Sequence, residues 1–245
     1  MPEVASFSYA FATLQQLAED VLKHARDKGA TACEVDVSEG FGQSVGVRCD
    51  EVETIEFNRD KGVGVTVYCG QRKGYASTSD FSPQALRDTV EAALAIARFT
   101  AADDCAGLAD AELMAHDTPD LDLYHPWALT VEDAIETARR CEQAAFDASP
   151  LVSNSEGASI STQQAQFVAA NSLGFMGGYP TSRHYISCSV IAGENDGMQR
   201  DDWYTTHRDA AQLEDPLRVG RIAAERAVAR LGGRKVSPGD FPVLF

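Results

Sequence analysis

The sequence predicts an α+β protein made of two consecutive domains, each an antiparallel β-sheet flanked by helices. Three observations carry that prediction. Apolar residues recur at helical spacing in several stretches, a period of two fills the segments between them, and the order helix, strands, helix occurs on either side of an aperiodic acidic stretch. The divisions that follow are an N-terminal α+β domain over residues 1–100, an acidic linker over 101–128 and a central α+β domain over 129–235. Residues 236–245 then read as the start of a missing C-terminal domain.

Leu14, Leu17, Val21, Leu22 and Ala25 define the first helix, with Thr13 as its expected N-cap, Gln16 in the capping-box position and Gly29 where the chain leaves it. Cys33, Val35 and Val37 then alternate with Glu34, Asp36 and Ser38. Val45, Val47 and Cys49 do the same after a turn predicted at Gly40–Gly42. Ile55 and Phe57 continue the alternation into a second predicted turn at Asn58–Gly62. Val63, Val65, Val67 and Cys69 make the next strand, and a short one near Tyr75–Ser79 follows a Gly70–Gly74 turn. Strands joined by such short turns pair antiparallel. Ser82 and Pro83 supply an N-cap and a first-turn proline for a helix through Leu86, Val90, Ala93, Leu94 and Ala97.

No period survives from Thr100 to Pro126, where aspartates crowd the chain. The second round opens with Thr130 and Asp133 capping a helix through Val131, Ile135, Ala138 and Ala145. Strand-like stretches follow near Ala158–Ala170 and Leu173–Tyr179. His184, Ile186, Cys188 and Val190 alternate up to a hairpin turn at Gly193–Gly197, with a return strand through Trp203. Asp215 and Pro216 start the last helix, whose face is Val219, Ile222, Ala223, Ala227 and Leu231. Phe241, Val243, Leu244 and Phe245 resemble the first residues of a buried strand, so the expectation is a chain that is the front part of something longer and exposes an apolar patch there.

Composition narrows the function classes. The 245 residues carry 21 Lys+Arg against 37 Asp+Glu, a net charge of −16, which repels phosphate backbones and anionic headgroups. Neither nucleic acid nor membrane is therefore expected as a partner. The longest apolar run, Ala92–Ala97, is six residues, far below the roughly 20 that a spanning helix needs. The first basic residue is Lys23, which does not fit a secretory signal, and the expected location is the cytoplasm. Six cysteines without a CxxC spacing read as reduced thiols, with Cys33, Cys49 and Cys69 at inward strand positions.

A zinc peptidase helix needs two histidines one turn apart with a glutamate between them, so that both rings reach one ion while the carboxylate activates water. His24, His116, His125, His184 and His207 contain no such pair. Three arrangements stay open as weaker candidates: His184 and His207 facing each other across the last hairpin with a cysteine, a calcium site at Asp117, Asp120 and Asp122, and carboxylate binding by Arg72-Lys73 or Arg234-Lys235. There is no GxSxG elbow, and Gly62-Val63-Gly64 opens a strand rather than a helix, so it makes no dinucleotide loop.

Longer stretches carry a family resemblance. Glu56-Phe57-Asn58-Arg59-Asp60-Lys61-Gly62-Val63-Gly64-Val65-Thr66-Val67-Tyr68 and Arg72-Lys73-Gly74-Tyr75-Ala76-Ser77 resemble the N-terminal domain of the TldD/PmbA family. Cys105–Asp110, Asp120–Pro126, Ser153–Gly157 and Ser182–Asp201 are similar to its PmbA (TldE) branch. The likeness runs from about Leu14 to Phe245. It implies a subunit of a two-chain cytoplasmic metallopeptidase that acts on peptides and unfolded segments, including modified peptide precursors and antitoxins. It places the zinc in a TldD-like metallopeptidase subunit, on a histidine-glutamate helix and a cysteine of that subunit's C-terminal domain. No catalytic, cofactor-binding or metal residue carries over to this chain, so none is expected here. The chain alone is expected to be inactive. The alternative is a stand-alone peptide-binding or scaffold module without a peptidase partner.

Overall fold

Where the sequence suggested a turn at Gly40–Gly42, the backbone runs straight on. The computed structural model describes residues 6–244. Strand β1 is unbroken over Ala32–Arg48, β2 over Glu51–Cys69, and β3 covers Arg72–Thr78. The Asn58–Gly62 stretch is likewise strand, paired with β1 from Gly42 to Ser38. Glycine and asparagine are tolerated there because a long partner holds every residue in register. The hairpin reverses instead at Cys49 and Asp50, whose φ values are 51° and 67°. Successive positive φ values follow the twist of the flanking strands. Cys49 is thus an exposed turn residue and not an inward strand position, whereas Cys33 is buried and Cys69 half-buried.

Helix α1 spans Phe11–Asp27 and α2 Pro83–Phe99. Helix α3 spans Val131–Ala148 and α4 Pro216–Ala229, with β4 at Val152–Asn171, β5 at Met176–Ala192 and β6 at Gln199–His207. Three of the four helix starts follow from their caps. Ser82 Oγ accepts from Ala85 N, Thr130 Oγ1 from Asp133 N, and an Asp215 oxygen from Leu217 N. Helix α1 differs: it starts at Phe11 after Ala10, which has no side chain to cap it, so Thr13 lies inside the helix. The prolines at positions 83 and 216 occupy first-turn sites, where no backbone donor is lost.

The architecture is α+β with helices on an antiparallel sheet, and all six strands lie in one sheet of order β3-β2-β1-β4-β5-β6. The two halves meet at β1 and β4, paired from Glu34↔Asn171 to Val47↔Ala158. That junction joins residues more than a hundred positions apart, which no local period encodes. Odd-numbered residues of β1 and even-numbered residues of β4 share one face. At one end Cys33, Val35 and Val37 join Val63, Val65, Val67 and Val168 beneath α1 and α2. At the other end Val47 joins Ala158, Ile160, Ile186, Cys188 and Val190 beneath α3 and α4. Each helix thus buries one apolar stripe on the same face of the sheet.

The connection from α2 to α3 has a single 3-10 turn, Ala111–Leu113. It follows the edge of β5 that β6 leaves free. Asn171 Nδ2 donates to Met114 Sδ, Ser182 N donates to Leu123 O, and β6 pairs only from His184 to Ala192. Pro180 sits in that free stretch, where its missing N–H breaks no ladder. No described helix is long and apolar enough to cross a membrane.

Candidate functional site

Between the two apolar cores the same face of the sheet turns polar. The cross-strand pairs there are Glu39↔Gln166, Phe41↔Gln164 and Gln43↔Thr162, with Thr162 in turn paired to His184 of β5. Glu39, Gln43, Thr162, Gln164, Gln166, Ser182 and His184 are all buried, so their polar atoms need partners. Glu39 Oε1 accepts from Tyr9 N at 2.9 Å and from Gln166 Nε2 at 2.8 Å, and its Oε2 accepts from Ser8 N at 3.0 Å. Tyr124 Oη donates to Gln164 Oε1 at 2.9 Å. Phe7 packs between Phe41 and Tyr124, at centroid distances of 5.4 and 5.6 Å. The band therefore ties the segment before α1 and the linker onto the sheet.

His184 lies at the centre of the linker contact and has no exposed surface. Thr162 Oγ1 is 2.9 Å from its Nδ1 and His125 O is 2.8 Å from its Nε2. A carbonyl only accepts, so Nε2 carries the proton and Nδ1 accepts from the threonine hydroxyl. Trp127 packs edge-on against the ring at 5.4 Å. Burial pushes the imidazole below its usual range, against a smaller opposing effect of the His125 carbonyl.

His184 and His207 do stand directly opposite each other across β5 and β6. They do not form a ligand pair, because both His184 nitrogens are bonded within the fold and His207 Nδ1 accepts from Asp209 N at 3.0 Å. His207, His125, Arg183, Arg208, Asp122 and Asp209 instead line an open cleft of about 470 Å³ beside the linker. Within it His125 Nε2 lies 3.0 Å from Asp122 O and 3.4 Å from the Asp122 carboxylate. Arg208 donates to Thr181 Oγ1 and the Ser182 carbonyl. The cleft offers charge of both signs and hydrogen bonds, which suits a polar ligand.

The remaining candidates fall elsewhere. His24 lies on α1, 3.9 Å from Glu91, and His116 is exposed in the linker. Asp120 accepts from Asp122 N in a local turn. Arg72 donates to Arg98 O at the end of α2, and Arg234 and Lys235 are exposed beyond α4. Among the described residues no three His, Cys, Asp or Glu side chains converge as a metal site would require. All six cysteines are free. Burial and the nearby Glu34 push the Cys33 thiol up to about 12, which leaves it unreactive as a thiolate.

The opposite face of the sheet carries no described helix. Ser38, Gly40, Gly42 and Ser44 of β1 lie there beside Ser159, Ser161 and Ala165 of β4. Aromatic pairs flank them: Phe167 with Tyr179 at 4.7 Å and Tyr185 stacked on Tyr204 at 5.4 Å. The alternation that places the β1 valines inward places these small residues outward.

Two solved structures share the arrangement of one helix-backed antiparallel sheet. A putative modulator of DNA gyrase from Bacteroides thetaiotaomicron matches with a TM-score of 0.82 at 24% identity, covering 91% of this chain and 51% of that one. TldE from Thermococcus kodakarensis matches at 0.69 and 14% identity, over 87% and 47%. These likenesses establish the fold class. At the level of sequence, the PmbA/TldA metallopeptidase domain 1 matches residues 33–97 and the central domain of the same family matches 124–231. The metalloprotease PmbA of Escherichia coli O157:H7 is 47% identical over 232 residues, and the PmbA homolog of Haemophilus influenzae 44% over 232. The chain belongs to the PmbA/TldD metallopeptidase family. It spans about half the length of these curated relatives, covering 51% of each.

Proposed function

We propose that this chain is the N-terminal part of a non-catalytic PmbA/TldE-like subunit, which pairs with a TldD-like metallopeptidase subunit in the cytoplasm and helps enclose a channel for peptides and unfolded segments. The helix-free sheet face carries this reading. It is lined by serine, glycine and alanine, with Gln163 lying over Gly42, and is flanked by two aromatic pairs, a surface suited to an extended peptide or a second protein. The zinc belongs to the partner in this reading. The histidines here do not fit such an ion, because His184 spends both nitrogens on Thr162 and His125.

The test combines binding and metal content. The purified chain should co-elute with a TldD-like subunit. After chelator washing and zinc resupply it should hold far less than one zinc per chain and cleave no peptide by itself. Near one zinc per chain, lost together with peptidase activity in a His184→Ala variant, would overturn the reading. Binding of unfolded peptides without any affinity for a TldD-like chain would favour a stand-alone peptide-binding module instead.

A further inference from the structure

The cleft beside the linker opens at the border of the helix-free face, and strand alternation sorts the residues that line it. Even-numbered residues of β5 point to the helices, Ser182 and His184 being buried, so Tyr179, Thr181, Arg183 and Tyr185 share the opposite face. Thr206 stands across the ladder from Tyr185 and lies on that face too. The Arg208 guanidinium is drawn to the same side by Thr181, whose Oγ1 accepts from it. Arg183, Thr206 and Arg208 thus meet in the cleft. Arg183 is the single Lys or Arg of β4 and β5 together, and the residue opposite it, Gln163, is neutral. The Gln163 amide in turn covers Gly42, so the outward face leads from the cleft straight to the patch of serine and glycine on β1.

These groups converge with donors to spare. Arg208 uses Nη1 on Thr181 Oγ1 and Ser182 O, which fixes the guanidinium and leaves Nε and Nη2 without partners among the described residues. Asp209 N donates to His207 Nδ1, so Nε2 of the neutral ring carries the proton. Thr206 Oγ1 is buried and has no hydrogen-bond partner among the described residues, which is rare for a buried hydroxyl in a folded chain. The carboxylates of the cleft are engaged elsewhere: Asp122 lies 3.4 Å from His125, and Asp209 Oδ1 accepts from Ala211 N. Among the described residues neither pairs with Arg183 or Arg208. A doubly charged phosphate would meet both aspartates at close quarters. A single carboxylate suits the cleft better, because a guanidinium binds it through two parallel N–H donors. We propose that this cleft holds the C-terminal carboxylate of a peptide lying on the helix-free face, a proposal that rests on the reading of that face as the peptide surface. The last side chain of the peptide would lie on the stacked Tyr185 and Tyr204 rings, and the residues before it would cross Gln163 towards β1.

Titration of the full chain with one N-acetylated hexapeptide of alanine and serine ending in phenylalanine, as the free acid and as the C-terminal amide, tests the cleft and the face separately. The acid should bind roughly tenfold or more tighter than the amide, since the amide forfeits the hydrogen bonds to a charged group. Arg183→Gln should bring the acid down to the affinity of the amide and leave the amide unchanged, an outcome that a folding defect could not produce. Arg183→Lys should recover only part of the difference, because an ammonium keeps the charge and loses the fork. Equal binding of acid and amide to wild type would overturn the carboxylate site and leave the peptide surface standing. Binding of neither peptide would overturn both. At constant ionic strength, displacement of the acid by inorganic phosphate at roughly tenfold lower concentration than by acetate would make the cleft a phosphate site and equally sink the proposal.

Discussion

The two ends of the sheet are built from the same succession of helix, three strands and helix, yet they place their specialised residues on opposite layers. At the α1/α2 end these residues belong to the strands. Glu39 of β1 reaches up to hold the amides of Ser8 and Tyr9, and Gly74 of β3 lets α2 rest on the sheet. A Cβ at Gly74 would stand 2.0 Å from Ala93 O and 2.6 Å from Ala97 N. At the α3/α4 end they belong to the helices. Glu142 of α3 reaches down to hold the amides of Cys49 and Asp50 in the β1–β2 turn, with distances of 2.9 and 3.0 Å. Gly220 of α4 lets that helix cross α3, where a Cβ would stand 1.9 Å from Cys141 O. The repeated order of elements is thus no repeat of residue pattern. One end fits its helices to a shaped sheet, and the other fits a shaped helix pair to the sheet.

The largest effects should come from filling the two glycines. Alanine at position 220 gains about 1 kcal/mol of helix propensity, but its methyl meets a backbone oxygen that cannot rotate away. Separating α3 from α4 should cost roughly 1–3 kcal/mol or more, as overpacking of a filled core does, so Gly220→Ala should lower the urea midpoint. Gly74→Ala should do the same by lifting α2 off β3. Hydrogen exchange would locate the damage, at α3 and α4 in the first variant and at α2 and β3 in the second. Loss of protection at both ends from either change would mean that the two cores are not separate, and the comparison would break.

The glutamates sharpen it further. Glu39→Ala and Glu142→Ala should each cost about 3 kcal/mol, given roughly 1.5–3 kcal/mol for each hydrogen bond to a charged group, less what water restores. Glutamine separates them. Glu142 uses one oxygen for each amide, so a glutamine there keeps one bond and sets an N–H against the other amide. Glu39 takes Tyr9 N and Gln166 Nε2 on the same oxygen, so a glutamine there keeps two of its three bonds. Denaturant titration should find Glu142→Gln about 1 kcal/mol more destabilising than Glu39→Gln. Equal losses would show that the surroundings rearrange at one of the sites.

Much of this was legible in the sequence, and the exceptions have physical causes. Helix positions and three caps follow from short-range chemistry, as Ser82, Thr130 and Asp215 illustrate. The alternation Cys33, Val35, Val37 continues through Glu39, so the period itself placed a carboxylate inward; its partners Ser8 and Gln166 are far away in sequence and left no local mark. Gly40, Gly42 and Asn58 read as turns because their types permit reversal, whereas the ladder with β4 and β2 decides that they stay extended. The β1–β4 junction, which makes one sheet of two sets of strands, is of the same kind. His184 and His207 were rightly placed opposite each other, but pairing on a strand says nothing of where their nitrogens point. The linker backbone at His125 answers that.

The smallest expected effect concerns pH and the band between the two ends. Burial holds the His184 imidazole below its usual range, opposed by smaller effects of the His125 carbonyl and of Asp209. The unfolded chain therefore binds a proton near pH 6.5 that the folded chain still refuses. Stability should be present in full above that value, fall as pH drops from it towards the folded pKa, and level off below. The direction is set by the unfolded state holding more protons in that window. His184→Gln, which removes the titrating ring, should flatten this part of the profile relative to wild type in denaturant titrations at several pH values. Because His184 belongs to β5 and packs on Trp127, which borders the α3/α4 core, acid should loosen that end first. Hydrogen exchange at lower pH should show α3 and α4 losing protection while α1 and α2 keep theirs. Simultaneous loss at both ends would make the polar band a coupling element rather than a seam.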